Sequence, residues 1–352
     1  MELFQRILKT AVEGGASDVH LKIGTPVVYR INRQLVAIDC PYPTVEWMNK
    51  MVELVAPVHL KKRLEQEREI DFSYYIPSIG RFRTNLFQQR GQWCFAMRYV
   101  KTIVPSFEEL GLLEQIRAIA ESPRGIVLVA GSTGCGKSTT LAAMIEHINS
   151  NSKKHIITLE DPIEYVFEDN QCVVEQREVG LDTKSYSRAL RGVVRAAPDV
   201  ILIGEIRDKE GMEAAINLAG TGHLVLATLH ANNCAESLDR IINMFPREQH
   251  NQIFLDLSQY LRAIMAQRLV MGRDNRRVAA VEIMINTPHI ATLIKKGDVV
   301  SIKEAINTSS DKSIVSFDTA LHELYKRGSI GLEEALANAD SRANLEAKIN
   351  FG

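Results

Sequence analysis

Nowhere does this chain hold an apolar run approaching the ~18 residues that a bilayer-crossing helix needs, so no spanning segment is expected. Glu2 and Glu13 stand where a secretory leader carries a basic end and a longer apolar stretch. Cysteine is sparse too: Cys40, Cys94, Cys135, Cys172 and Cys234 are scattered, odd in number and never spaced C-x-x-C, which points to a reducing compartment and away from a zinc knuckle. Charge of one sign is also missing. Forty-two Lys and Arg face 43 Asp and Glu, a net charge of −1, so composition does not suggest a nucleic-acid partner; a helicase or recombinase needs a basic or aromatic groove. Internal repeats and low-complexity segments are absent as well. What remains is 352 residues, 45% hydrophobic and 24% charged: enough for two globular domains with ample core, expected in the cytoplasm.

The most informative stretch is Gly125 to Thr140. The apolar run Gly125-Ile126-Val127-Leu128-Val129-Ala130 leads into Gly131-Ser132-Thr133-Gly134-Cys135-Gly136-Lys137-Ser138, which is G-x-x-x-x-G-K-S, and Leu141, Met144, Ile145 and Ile148 follow at helical spacing. This reads as strand, phosphate loop and helix. Backbone N–H groups of such a loop turn inward around a polyphosphate, and the helix start adds positive potential. Ser132, Thr133, Gly134, Cys135, Gly136, Lys137, Ser138 and Thr139 are the expected nucleotide contacts, with Lys137 reaching the β- and γ-phosphates and Ser138 holding Mg²⁺.

Before the loop, Phe4, Ile7, Leu8 and Ala11 mark a short helix ended by Gly14-Gly15, and Val19, Leu21 and Ile23 begin an alternating pattern. In Gly80 to Phe87, period two puts Phe82, Thr84 and Leu86 on one face and Arg81, Arg83 and Asn85 on the other; in Trp93 to Tyr99, Arg98 lies opposite the bulky residues. An α+β domain is expected to about residue 100, followed by a linker and a helix opened by the Ser106/Glu109 capping box. From Gly125 to about Ile285, five buried-type strands alternate with amphipathic helices: Ile126 to Val129, Ile156 to Leu159, Val200 to Ile203, Leu224 to Leu229 and Val278 to Ile285. That alternation predicts a mostly parallel sheet. After Pro288 the pattern is only helical.

Two further strand ends carry chemistry. Val200 to Ile203 leads through Gly204 into Glu205, the carboxylate expected at the Mg²⁺ and its water shell, unless it simply caps the next helix. Thr158-Leu159-Glu160-Asp161-Pro162-Ile163-Glu164 puts three acids at the same sheet edge, one of which can polarise an attacking water. His223 and His230 bracket the strand between them. Alone, each is an ordinary hydrogen-bonded histidine; beside acids and a phosphate loop, they become candidate γ-phosphate sensors. No H-x-x-x-H or Cys pair accompanies them, so a transition metal is not expected.

With these pieces in this order, the chain resembles the secretion and type IV pilus motor ATPases, most closely the PilT/PilU retraction branch, over essentially its whole length. Besides the phosphate loop and the two strand ends, the matching stretches are Arg177-Glu178-Val179-Gly180-Leu181-Asp182-Thr183, the box from His223 to His230, and Asp239-Arg240-Ile241-Ile242-Asn243 with His250-Asn251-Gln252, which look more like PilU than PilT. The resemblance implies an α/β fold class: a PAS-like domain (1–100), a linker (101–111), a RecA-like ATPase core (112–287) and a C-terminal helical region (288–352). It further implies a homo-hexamer holding ATP and Mg²⁺ between subunits, working at the cytoplasmic face of the inner membrane on a pilus-base platform protein, beside a sister PilT-type ATPase.

The resemblance also implies roles for particular residues. Glu164 becomes the catalytic carboxylate acting on water, Glu205 the Mg²⁺-site acid, and His230 and His223 companions of the nucleotide. Arg81, Arg83 and Arg98 become arginines that close on the phosphates, the alternative being a solvated strand face. PilT proteins carry A-I-R-N-L where this chain has His289-Ile290-Ala291-Thr292-Leu293, a departure that favours an accessory retraction motor or a low-turnover nucleotide-sensing partner subunit. Cys135 stands where Thr or Ser is usual; its amide still serves, because its side chain is expected to point away.

Overall fold

Apolar residues three and four apart give the opening helix α1 (Glu2–Glu13) one buried face, Phe4, Ile7, Leu8 and Ala11, in the computed structural model, which describes residues 1–32 and 34–351. It is followed by β1 (Asp18–Lys22), β2 (Val27–Ile31), β3 (Gln34–Ile38), α2 (Val45–Val55), α3 (Lys61–Glu67), β4 (Glu69–Ile76), β5 (Gly80–Gln89) and β6 (Gln92–Val100). Among the described residues these strands form a six-stranded antiparallel sheet in the order β3-β2-β1-β6-β5-β4. Period two holds along β5: Phe82, Thr84 and Leu86 are buried and Arg83 is exposed. The Phe4 ring packs 5.9 Å from Phe95 and 6.0 Å from Tyr74, closing the core between helices and sheet.

The rest of the chain runs α4 (Phe107–Leu110), α5 (Glu114–Ala120), β7 (Gly125–Ala130), α6 (Lys137–Asn151), β8 (His155–Glu160), β9 (Val173–Glu178), α7 (Tyr186–Val193), β10 (Val200–Ile203), α8 (Lys209–Gly220), β11 (Leu224–Leu229), α9 (Cys234–Asn243), α10 (His250–Tyr260), β12 (Leu261–Met271) and β13 (Arg277–Ile285). Five helices follow: α11 (Pro288–Lys296), α12 (Val299–Thr308), α13 (Phe317–Lys326), α14 (Leu332–Ala337) and α15 (Arg342–Phe351). The strands form a seven-stranded sheet in the order β13-β12-β7-β11-β10-β8-β9, parallel throughout except for the β12–β13 hairpin. β7 is buried on both faces: Ile126, Leu128 and Ala130 enter the core that holds α8 and α9, while Val127 and Val129 enter the one that holds α6. That explains its unbroken apolar run. Because β7, β8, β10 and β11 are parallel, their carboxyl ends share one edge, where the chemistry-bearing residues follow.

The fold class is the expected one: a smaller α+β unit, a larger unit built on a mostly parallel sheet, and C-terminal helices. The larger sheet has two strands more than the five expected there, β9 and β12. The contacts also divide the chain differently from a simple cut. One compact unit comprises Met1–Ile103 together with Pro162–Val166 and Gly180–Asp182; the other comprises Val104–Asp161, Phe167–Val179 and the chain from Thr183 on. Pairing explains the first insertion: Tyr165 bridges Lys101, and the Val166 N–H donates to the Lys101 carbonyl at 3.2 Å. Among the described residues no helix is long and apolar enough to cross a membrane.

Candidate active site

The phosphate loop leaves the end of β7 and closes on the first turn of α6. At two positions there the backbone favours glycine, because any other residue would be strained. A Cβ on Gly131 (φ +149°) meets the Gln267 carbonyl oxygen at 2.7 Å, and one on Gly136 (φ +95°) meets the Gln267 side-chain nitrogen at 2.8 Å. Gly136 caps α6 without a side-chain hydrogen bond, which leaves first-turn N–H groups for an anion. Lys137 is buried, and its ammonium donates to the carbonyls of Gly131 at 2.8 Å and Ser132 at 2.9 Å, so the cation lies over the loop. Ser132, Thr133 and Gly134 are exposed at the loop tip, and Ser138 and Thr139 are half-buried in the first helical turn. Cys135 is buried, its thiol directed inward against Gly131.

On the same edge, two strands from β7, Glu205 has both oxygens engaged. Oε1 lies 3.1 Å from His230 Nε2, and Oε2 accepts from Arg207 Nε at 2.8 Å. Gly204 just before it is fixed from β11, whose Thr228 hydroxyl donates to its carbonyl at 2.5 Å. The Glu205 hydrogen bond raises the Arg207 guanidinium pKa further, so this cation is permanent, and Arg207 also stands 3.8 Å from Asp161. Glu160, buried at the end of β8, accepts from the Thr158 hydroxyl at 2.6 Å and the Gln176 amide at 3.3 Å. Burial, and then the negative charges of Asp161, Glu160 and Glu205, push the nearby Tyr186 phenol far up, so it stays a neutral donor.

The residues fit a Mg²⁺–nucleotide. Ser138 in the first turn of α6 and Glu205 just past the end of β10 would hold the cation, which takes few protein ligands and keeps part of its water shell. Among the described residues no three His, Cys, Asp or Glu side chains gather into a metal cage, and Mg²⁺ bound largely through phosphate and water needs none.

One expectation is corrected. His223 does not join His230: it precedes β11, whereas His230 follows it, so the two imidazoles sit at opposite edges of the sheet about 20 Å apart. His223 Nδ1 is engaged there with the Leu218 carbonyl at 2.9 Å and the Thr221 hydroxyl at 3.0 Å. Glu164 is exposed and belongs to the segment that pairs with Lys101 in the first unit.

Within the first unit, the structure brings three expected arginines onto one sheet face. Arg81 and Arg83 are two apart on β5, and Arg98 is the cross-strand partner of Arg83. Arg81 donates to the Ser73 hydroxyl, and Arg98 to Asp18 at 2.8 Å; Arg30 stands 3.3 Å from the same carboxylate. Burial alone raises the Asp18 carboxyl, but hydrogen bonds from Ser17 and Arg98 and the charges of Arg98 and Arg30 outweigh it and hold the pKa below the usual range. Sequence reasoning missed Asp18 and also Arg207 and Tyr186. Only the position of Arg207, two residues past the strand-end acid, offered a signal.

A loop that cradles anions, a lysine above it and a clamped acid at the same sheet edge form the apparatus of nucleotide hydrolysis: the second unit is a RecA-like P-loop ATPase core. The sequence matches the family described as type II/IV secretion system protein over residues 1–281. It is 43% identical to the type IV pilus ATPase PilU of Pseudomonas aeruginosa over 99% of this chain and 92% of that one. It is 39% identical to the type IV pilus retraction ATPase PilT of the same organism, over 96% of this chain and 98% of that one. The crystal structure of the pilus retraction motor PilT with bound ADP superposes with a TM-score of 0.90 at 40% identity, covering 97% of this chain and 98% of that one. The chain belongs to the type II/IV secretion system protein family and, within it, to the PilT/PilU ATPases.

Proposed function

We propose that this chain is a Mg²⁺-dependent motor ATPase for type IV pilus retraction, assembled as a homo-hexamer and acting in a PilU-like accessory role beside a sister PilT-type ATPase. The observation that carries the reading is Glu205, held by His230 and Arg207 on the same sheet edge as the phosphate loop, in a chain that matches a pilus ATPase from end to end. Bound Mg·ATP supplies the scissile phosphoanhydride and the charge neutralisation; the protein supplies position. Lys137 and the loop amides hold the phosphates, Ser138 and Glu205 hold the cation and its water, and His230 keeps Glu205 oriented. Glu164 acts on the attacking water, and Arg81, Arg83 and Arg98 are the arginines that close on the phosphates. The hexamer works at the cytoplasmic face of the inner membrane, where it drives a platform protein and depolymerises pilin.

The accessory role is supported by the stretch from His289 to Leu293. It forms most of α11, with Ile290 buried, Thr292 exposed, and Ala291 where the retraction motif carries arginine. The test has two arms. Purified protein with ATP and Mg²⁺ should release phosphate, and Lys137→Ala and Glu164→Gln should each abolish the release; turnover that ignores both substitutions sinks the motor assignment. In cells lacking the sister ATPase, this chain alone should give little retraction, and full retraction there refutes the accessory role. The rival reading, a nucleotide-sensing subunit with little turnover, shares the second outcome but predicts negligible phosphate release in the first arm.

A further inference from the structure

Gln267 lies on β12, one residue beyond the Ala266–Ala130 pair that joins β12 to β7, so it stands level with Gly131 at the start of the phosphate loop. It is buried at 4% exposure, too deep to touch a nucleotide. Its side chain nevertheless makes two hydrogen bonds to the loop and its helix: the amide nitrogen donates to the Cys135 carbonyl at 2.8 Å, and the amide oxygen accepts from the Thr140 hydroxyl at 2.7 Å. The orientation of the amide is forced, because a carbonyl can only accept; the NH₂ must face Cys135, which leaves the oxygen for Thr140. The backbone and side chain of Gln267 are also what a Cβ would strike at Gly131 and at Gly136. This one residue abuts both ends of the loop.

We propose that Gln267 is a positioning residue for the nucleotide, with Thr140 as its partner. In a trans peptide the C=O of one residue and the N–H of the next point in opposite directions. Drawing the Cys135 carbonyl toward Gln267 therefore aims the Gly136 N–H away from β12, toward the hollow of the loop where phosphate oxygens bind. Thr140 holds the amide plane in that setting from the first turns of α6. Methionine in place of Gln267 keeps the bulk but abandons both bonds, leaving a buried carbonyl and a buried hydroxyl without partners. Glutamate keeps the shape but sets an acceptor against an acceptor and adds negative charge behind an anion site. The inference rests on the phosphate loop being the nucleotide site; it does not depend on the pilus assignment.

The test measures Mg·ADP affinity of the full chain by titration calorimetry, with KM and kcat for ATP alongside and thermal unfolding as the folding control. Gln267→Met and Thr140→Val should each weaken ADP binding about ten-fold or more, with Gln267→Glu weaker still. KM should rise more than kcat falls. The double variant Gln267→Met/Thr140→Val should bind no worse than the poorer single one, because both break one unit. Thr140→Ser, which restores the hydroxyl, should recover most of the affinity that Thr140→Val loses. A merely structural role lowers the unfolding temperature and leaves the affinity of the folded fraction in place. Folded Gln267→Met that binds ADP within two-fold of the unsubstituted protein overturns the proposal, as do fully additive effects in the double variant. An unsubstituted chain that binds no ADP overturns the nucleotide site and the positioning role together.

Discussion

Arg268, next to Gln267 but facing the other side of the sheet, ties the C-terminal helices to the core, and its removal has a calculable cost. Its guanidinium stands 2.7 Å from Asp340, donates to the Asn338 carbonyl at 3.0 Å, and lies 3.8 Å from the Phe317 ring centroid. The ion pair is a little over one-quarter exposed on the arginine side and about one-fifth on the aspartate side, so water screens it only partly. A partly desolvated charge-assisted bond, a carbonyl bond and a cation–π contact contribute about 1 kcal/mol each. Part of that is offset by the rotamer freedom an arginine regains when unpinned. Arg268→Ala should therefore destabilise the larger unit by about 2 to 3 kcal/mol, which lowers Tm by about 5–10 °C for a body of this size. Arg268→Lys keeps the charge but loses the planar fork and the stacking, so it should recover less than half. Thermal unfolding followed by circular dichroism reads the loss, and limited proteolysis should cut sooner between 326 and 342. A Tm within about 2 °C of the unsubstituted chain for Arg268→Ala would show that these contacts do not hold the helices down.

Other outcomes follow from single groups. The folded pKa of Asp18 is depressed, so its stabilisation is present above the unfolded value of about 3.9 and lost as pH falls through the folded value. Asp18→Asn should cost about 1–2 kcal/mol at pH 7 and progressively less as pH falls below the unfolded value, as urea unfolding across that range would reveal. Glu282 behaves oppositely: burial raises its pKa, so stability contributed by the protonated acid is lost as pH rises from the unfolded toward the folded value. Its carboxylate accepts from the Cys234 N–H at 2.6 Å, a bond an amide oxygen can keep, so Glu282→Gln should raise Tm at pH 8 and change it little at pH 4. Glu205→Gln removes the charge that Arg207 and His230 clamp, and should cut kcat about 100-fold or more while ADP affinity measured without Mg²⁺ stays within a few-fold.

Several features were legible because they are local. The loop signature Gly131 to Ser138 encodes its own turn chemistry, Ser106 and Glu109 form the reciprocal capping box their spacing announced, and the period-two burial of Phe82, Thr84 and Leu86 against Arg83 follows from the pleat. Other elements were hidden for identifiable reasons. β12 follows α10 with no glycine or proline between them, and its apolar run fits a helix as well as a strand; the Asn286 amide, which donates to the Ser258 and Leu261 carbonyls, is part of what terminates the helix there, from 25 residues away. β9 is largely polar, with Glu178 alone of its six residues buried, an edge strand held by its pairing to β8 and not by its own pattern. His223 and His230 look equivalent along the chain, and only the direction of the strand between them separates their roles.

The linear order of residues determined by itself the kinds of chemistry present: an anion cradle, a lysine, strand-end acids and a row of arginines, because each depends on neighbours within a few positions. Tertiary structure alone decided which of them meet. Glu205 joins His230, and Gln267 reaches Cys135 across 132 residues, because parallel pairing brings together strand ends that nothing in their spacing along the chain connects; Arg98 joins Asp18 across 80 residues because β1 and β6 pair antiparallel.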